Sequence, residues 1–346
     1  MTDAEAVKLL LDLVSTPSVT GSESQAVDLL VDAMTAHGLN ARRDPAGNAV
    51  GMTGNGRGLM FLGHVDTVPG LVPVRQDNGC IYGRGAVDAK GPLAAAVAAA
   101  CRVGASANVT VVGAVGEEGG SEGARFLRRA PSPPALVIGE PGGSDSVVLG
   151  YRGSVRAVIH FAQDCSHSAG PTPGICDRAF EAWGRVLHCC AGFAQGHDTF
   201  RSVGASIVGF SSDGDGLQES ADLRVAFRIP TGVNLTELQD GVRQAARPGS
   251  IDFAEAEPPY EARKDSPLVA AFLRALRAEG VRPRLKHKTG TSDMNVVAPT
   301  WGCPTVAYGP GDSKLDHTPQ EHIRVAEYLQ SVRVLTTVFA ESARCM

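Results

Sequence analysis

The sequence predicts an α/β protein, a mostly parallel sheet covered by helices, with a smaller α+β segment inserted into it. Two patterns carry that expectation. Short apolar runs, each followed by a polar loop and then a helical stretch, recur through most of the chain, as buried parallel strands require. Between about residues 154 and 264 the pattern changes to strands of alternating polarity with helices between them. The length of 346 residues suits two domains, here 1–153 with 265–346, and 154–264.

The elements follow in order. Leu9, Leu10, Leu13 and Val14 stripe a first helix that Pro17 ends. Ser22 or Ser24 caps a second, with Ala26, Leu29, Leu30 and Met34 on its apolar face and Gly38 as its stop. Buried strands are expected at Leu59–Gly63, Val109–Val115, Ala135–Gly139 and Thr305–Tyr308, and a hairpin at 72–85. The alanine-rich segment Pro92–Val103 reads as a helix, and Glu321–Phe339 as a long amphipathic one. In the inserted segment, Ser154–Phe161 and Ala221–Ile229 read as strands, Arg178–Cys190 and Leu235–Ala246 as helices.

Composition narrows the function classes. Hydrophobic residues make up 43% and charged residues 20%, an ordinary balance for a globular chain with a sizeable core. A formal net charge of −5 lacks the basic signature of nucleic-acid binding. No apolar run is long enough to span a membrane, and the acidic start at Asp3 and Glu5 is unlike a secretion signal. Without a secretion signal, a cytoplasmic protein with eight reduced cysteines is the expectation, and their scatter, with no C-x-x-C, lacks the spacing of a structural zinc site.

In open α/β sheets, ligands sit beyond the carboxyl ends of the strands, so the polar residues there matter most. His64-Val65-Asp66 follow the 59–63 run and Glu117-Glu118 the 109–115 run. Glu140 follows 135–139, Asp316-His317 close the loop after 305–308, and Asp88 follows the hairpin. Imidazoles and carboxylates in this number suit a pair of zinc ions. Two metals need one spanning carboxylate and about two terminal ligands each; His64, Asp88, Glu118, Glu140 and His317 are the five on offer.

The order H-V-D-T, V-D-A-K-G, E-E-G, G-E-P and D-H-T-P-x-E resembles the metallopeptidase family of succinyl-diaminopimelate desuccinylase, acetylornithine deacetylase and carboxypeptidase G. The resemblance covers nearly the whole chain. It implies a zinc-exopeptidase-like catalytic domain with an inserted lid and dimerisation domain, two Zn²⁺ per subunit (Co²⁺ as the alternative metal) and a homodimer. Carried over by motif, His64 and Glu140 would hold one metal, Glu118 and His317 the other, and Asp88 would bridge, next to a cis peptide. Asp66 would bond the His64 ring, and Glu117 would be general base and then acid. Ser166-His167-Ser168-Ala169 resembles the lid motif whose His steadies the oxyanion in a neighbouring subunit. Phe227-Arg228-Ile229-Pro230 resembles the strand whose Arg holds the substrate carboxylate; Gly290 and Thr291 join it as substrate-binding residues. Many relatives carry an Asn before that strand, where this chain has Ser211 to Gly216, a departure that leaves substrate contacts from that loop without support.

The stretches 148–153, 288–295 and 307–313 look most like the LysW-lysine and LysW-ornithine hydrolases. These release an amino acid from the glutamate γ-carboxyl of a small acidic amino-group carrier protein. The basic stripe Arg282 to Lys288 would steer such a carrier, or is a charged edge strand. The alternative within the class is a deacylase of small N-acyl amino acids. Outside it stand a non-catalytic metal-binding protein and a serine hydrolase, since Gly119 to Gly123 match G-x-S-x-G with Asp316 and His317 downstream.

Overall fold

The computed structural model describes every residue except Ser168, Gln195, His197 and Met346, and side chains through Glu341. The chain divides into two compact units, one of residues 1–150, 262–287 and 292–346, the other of 151–261 and 288–291. The 288–291 segment was expected in the other domain. It joins the second unit because Arg152 Nε donates to the Thr289 carbonyl and Arg228 Nη1 to Thr291 Oγ1, each at 2.9 Å.

The first unit is built on a mixed sheet. Its centre is parallel: Leu59–His64 lies between Val109–Ala114 and Leu136–Gly139, and Thr305–Ala307 follows on the far side of the latter. Further strands flank this centre, Asn40–Arg43 and Ala49–Thr53 on one side and Ser146–Tyr151 on the other, where Tyr260–Glu261 and Arg284–Lys288 also pair. The central strands are buried along nearly their whole length, which is why they read as continuous apolar runs rather than alternating ones. The Lys90–Val103 helix packs against the sheet and against Asp3–Ser15 and Val325–Cys345. Its alanines 94 to 96 and 98 to 100 are fully buried; small side chains let three neighbours approach at once.

Two local expectations differ from what is found. The second helix, Ser24–Ala36, has Glu23 at its N-cap position without a side-chain cap bond, because Glu23 Oε1 accepts from Gly21 N–H instead. The C-terminal helix begins at Val325, not Glu321. Residues His322–Arg324 pair as a strand with Cys80–Tyr82, whose other neighbour is Arg75–Asp77.

The second unit is an antiparallel sheet in the order Gly204–Gly214, Gln218–Ile229, Gly153–Asp164, Ser250–Phe253. Val155, Ala157, Ile159 and Phe161 with Leu223, Val225, Phe227 and Ile229 form one buried face. The helices Ile175–Ala191 and Leu235–Ala246 contribute Ala179, Ala182, Val186, Leu238 and Val242 to the same core. Strand side chains alternate between faces, so the intervening residues form the opposite face.

Candidate active site

His64 ends its strand with 1% of its surface exposed. Its Nδ1 donates to the Asp66 carbonyl at 3.0 Å, which turns Nε2 toward Asp88 Oδ1 at 3.2 Å and Glu140 Oε1 at 3.8 Å. The second oxygen of Asp88 faces His317 Nε2 at 3.1 Å, and that nitrogen also faces Glu118 Oε1 at 2.8 Å. Two groups result, His64–Asp88–Glu140 and Asp88–Glu118–His317, and within each the ligand atoms lie within 4.8 Å of one another. Asp88 belongs to both, one oxygen in each. A cis peptide joins Asp88 to Ala89.

The carboxylate of Asp66, fully buried, does more than was expected of it. It lies 3.4 Å from the His64 ring, while its two oxygens accept the backbone N–H groups of Glu117 and Glu118, each at 3.0 Å, and the Thr20 hydroxyl at 2.8 Å. The turn holding the paired glutamates is thereby pinned at two successive amides. Gly116 makes that turn feasible: it sits at φ +79°, and a Cβ there would come within 2.1 Å of Glu122 Oε2. The two glutamates then diverge. Glu118 meets His317, whereas the Glu117 carboxylate forms no hydrogen bond among the described residues and belongs to neither ligand group.

The electrostatics follow from crowding carboxylates around two imidazoles. Burial pushes the Glu117 carboxyl well above its ordinary pKa; His64 opposes this, and the charges of Glu140, Asp293 and Asp88 add to it. Burial also raises Glu118, with Asp88 adding to the effect. Desolvation disfavours a charged His64, yet bonds to Asp66 and Asp88 outweigh it and hold the ring well above the usual value. His317 is raised to about 9, first by its bond to Asp88. A set of imidazole nitrogens and carboxylate oxygens facing one another, with negative charge in excess, is the donor chemistry of a divalent cation pair. The residues present fit such a pair.

Glu321 received no role from the sequence. It is fully buried; Oε1 accepts the N–H groups of Val87 and Asp88 at 2.9 and 3.1 Å, and Oε2 pairs with Arg84 at 2.8 Å. Its signal was the final E of D-H-T-P-x-E, far along the chain from the loop it supports. Thr20 carried no signal. In the second unit, Arg228 reaches Thr291, and Arg152 holds the Thr199, Ser202 and Thr289 carbonyls. His167 is exposed, its Nδ1 accepting from Ala169 N–H at 3.1 Å; its neighbour Ser168 lies outside the described residues. Gly290 has open space where a Cβ would stand. Among the described residues the serine rival finds no triad: His317 Nε2 is directed at Glu118 and Asp88, and Ser121 sits at the start of a short helix with φ +56°.

Residues 60–341 match Peptidase family M20/M25/M40. The chain belongs to this family. A relative from Deinococcus radiodurans, named LysW-lysine hydrolase, is 40% identical over 349 aligned positions, covering 97% of this chain and 96% of its own. One from Saccharolobus islandicus, named LysW-lysine/LysW-ornithine hydrolase, is 28% identical, covering 97% and 96%. The M20/M25/M40 fold is equally plain among solved structures. A Staphylococcus aureus tripeptidase superposes with TM-score 0.82 at 21% identity, covering 99% of both chains. A Bacillus subtilis peptidase of the M20 family, described as dinuclear metal binding, gives 0.71 at 12% identity and the same coverage.

Proposed function

We propose that this M20/M25/M40 member is a two-zinc amidohydrolase that frees lysine, ornithine or an analogue from the glutamate γ-carboxyl of an amino-group carrier protein. The carrier assignment draws on the names of the full-length relatives. The chemistry draws on one observation: of two adjacent glutamates, Glu118 joins a ligand group and Glu117 does not. His64 and Glu140 would hold one cation and Glu118 and His317 the other, with Asp88 shared. When bound, such a pair supplies Lewis-acid polarisation and a more acidic water.

Within this reading Glu117 removes the proton of the attacking water and later delivers it to the departing amine. Burial raises the Glu117 carboxyl in the metal-free site, and a cation pair beside it would pull the value back down, toward the range in which one carboxyl can both take a proton and give it up. Asp66 keeps Glu117 on station through the backbone rather than through its side chain. Arg228 with Thr291, beside Gly290, is the proposed holder of the amino acid's carboxylate, and His167 the oxyanion group of a homodimer in the cytoplasm.

The test is to incubate the protein with a carrier–lysine conjugate and, separately, with N-acetylornithine, each with and without a chelator. The reading expects chelator-sensitive release of lysine at a kcat/KM well above that for N-acetylornithine. Release from N-acetylornithine alone would move the protein to the small-molecule deacylases.

A further inference from the structure

The turn that carries the paired glutamates keeps little shape of its own. Gly116 and Gly119 bracket Glu117 and Glu118, and glycine leaves a backbone its widest freedom. Asn48 holds the flanks: its Oδ1 accepts Val115 N–H at 3.0 Å and its Nδ2 donates to the Gly123 carbonyl at 3.3 Å. Between the flanks, the amides of Glu117 and Glu118 rest on the two oxygens of Asp66. Packing does not close around the turn, because a groove of about 350 Å³ opens against Val115, Gly116 and Glu122, with Thr20 also in its lining.

Asp66 is itself a rotatable side chain, so its hold is only as firm as whatever fixes its carboxylate. Oδ1 has the His64 ring at 3.4 Å, and Oδ2 has the Thr20 hydroxyl at 2.8 Å. The Thr20 methyl meets the turn directly: a Cβ at Gly119 would come within 2.9 Å of Thr20 Cγ2. One side chain thus touches both halves of the hold, the carboxylate with its hydroxyl and the turn with its methyl. Thr20 is fixed in its own place by the strap that follows the first helix. Lys90, 1% exposed, donates to the Leu13 and Thr16 carbonyls at 3.0 and 2.7 Å, capping the last carbonyls of that helix. Buried Ser18 donates its hydroxyl to the Val65 carbonyl at 2.7 Å, and Thr67 N–H donates to the Ser18 carbonyl at 2.9 Å. Val19 bridges Thr67 in parallel, and Thr20 N–H donates to the Thr67 carbonyl at 3.3 Å. A strap fastened at Thr16, Ser18 and Thr20 leaves the Thr20 hydroxyl little choice but Asp66.

We infer that Thr20 is a positioning residue for Glu117. Its hydroxyl fixes the Asp66 carboxylate, the carboxylate fixes the 117–118 amides, and the amides set where the Glu117 side chain starts. The inference rests on the proposed function for its effect on turnover, and adds to that reading a residue that acts only through others. A hydroxyl that merely fastened the strap would affect stability and nothing specific to the turn.

The experiment compares the metal-loaded whole protein with Thr20→Val, which keeps the shape and removes the hydroxyl, and with Thr20→Ser, which keeps the hydroxyl. Metal per chain is read by mass spectrometry, and kcat and KM on the carrier–lysine conjugate. Amide hydrogen exchange is followed at Glu117, at Glu118 and along the central strands. For Thr20→Val the inference expects kcat to fall about tenfold or more, with KM and metal content unchanged. Exchange at the two amides should quicken about tenfold while that of the strands stays as it was. Thr20→Ser should recover most of both. Wild-type kcat in Thr20→Val, or wild-type exchange at the two amides, would overturn the inference. So would loss of metal, faster exchange throughout the strands, or a Thr20→Ser variant as slow as Thr20→Val. If the wild type cleaves neither the conjugate nor N-acetylornithine while Thr20→Val loosens these two amides alone, the amidohydrolase reading fails and the positioning of the turn stands.

Discussion

At the scale of single residues, the two histidines of the cluster show what the surrounding carboxylates do. Without metal, both rings are raised: His64 by bonds to Asp66 and Asp88 that overcome burial, and His317 to about 9, first by its bond to Asp88. A ring whose folded pKa exceeds its unfolded value of about 6.5 contributes its full stabilisation below that value. It loses the contribution as pH rises through the folded value. Glu117, raised by burial, acts in the same direction. The metal-free protein should therefore melt at progressively lower temperature between pH 6.5 and 9, while metal affinity rises across the same window as the rings shed protons. Calorimetry of chelated protein checks the first half; a flat or rising melting temperature would contradict it. The strand-end positions of His64, Glu117, Glu118 and Glu140 were legible because each follows an apolar run. The buried work of Asp66 on the 117–118 amides was not, since no spacing rule links a side chain to backbone groups fifty residues away.

Elements place these groups, and the loop carrying Asp88 depends on one of them from a distance. Glu321 precedes the His322–Arg324 strand, which pairs with Cys80–Tyr82 and so returns the chain beneath the 84–88 loop. Its carboxylate accepts two amides there. In Glu321→Gln, only one oxygen remains, and the amide NH₂ group confronts Arg84. Metal affinity should fall about 10–100-fold, as for other supporting partners of ligands, with binding followed by competition against a chromophoric chelator. An unchanged affinity would show that the loop holds its own shape. The Lys90–Val103 helix offers a contrast, because its alanines serve packing. Ala96→Leu should cost about 1–3 kcal/mol of stability through overpacking, measured by denaturant unfolding, and leave metal content intact. That helix was legible from its alanine run. The polar strand Asn40–Arg43 was not, having no apolar alternation, and the C-terminal helix was begun too early because His322–Arg324 continues its pattern into a strand.

The whole molecule divides its work between two units. The first gathers His64, Asp88, Glu118, Glu140 and His317 about a space fit for two cations, and the second carries Arg228 and Thr291. Period-two alternation at 154–161 and 221–229 made two of the second sheet's four strands legible in sequence; Gly204–Gly214 and Ser250–Phe253 were not, and residues 211–214, expected as loop, belong to the former. The apolar set Val155, Ile159 and Phe161 also marked the face that is buried, but no pattern in the sequence gives the register, which sets the residues that stand opposite one another. The central claim is that Glu117 stands beside the metal pair without belonging to it. The direct measurement is Glu117→Gln, assayed together for metal per chain by mass spectrometry and for lysine released from the carrier conjugate. The account predicts full metal content with turnover reduced at least 10²–10⁴-fold; a variant that loses its metal, or that releases lysine at the wild-type rate, would contradict it.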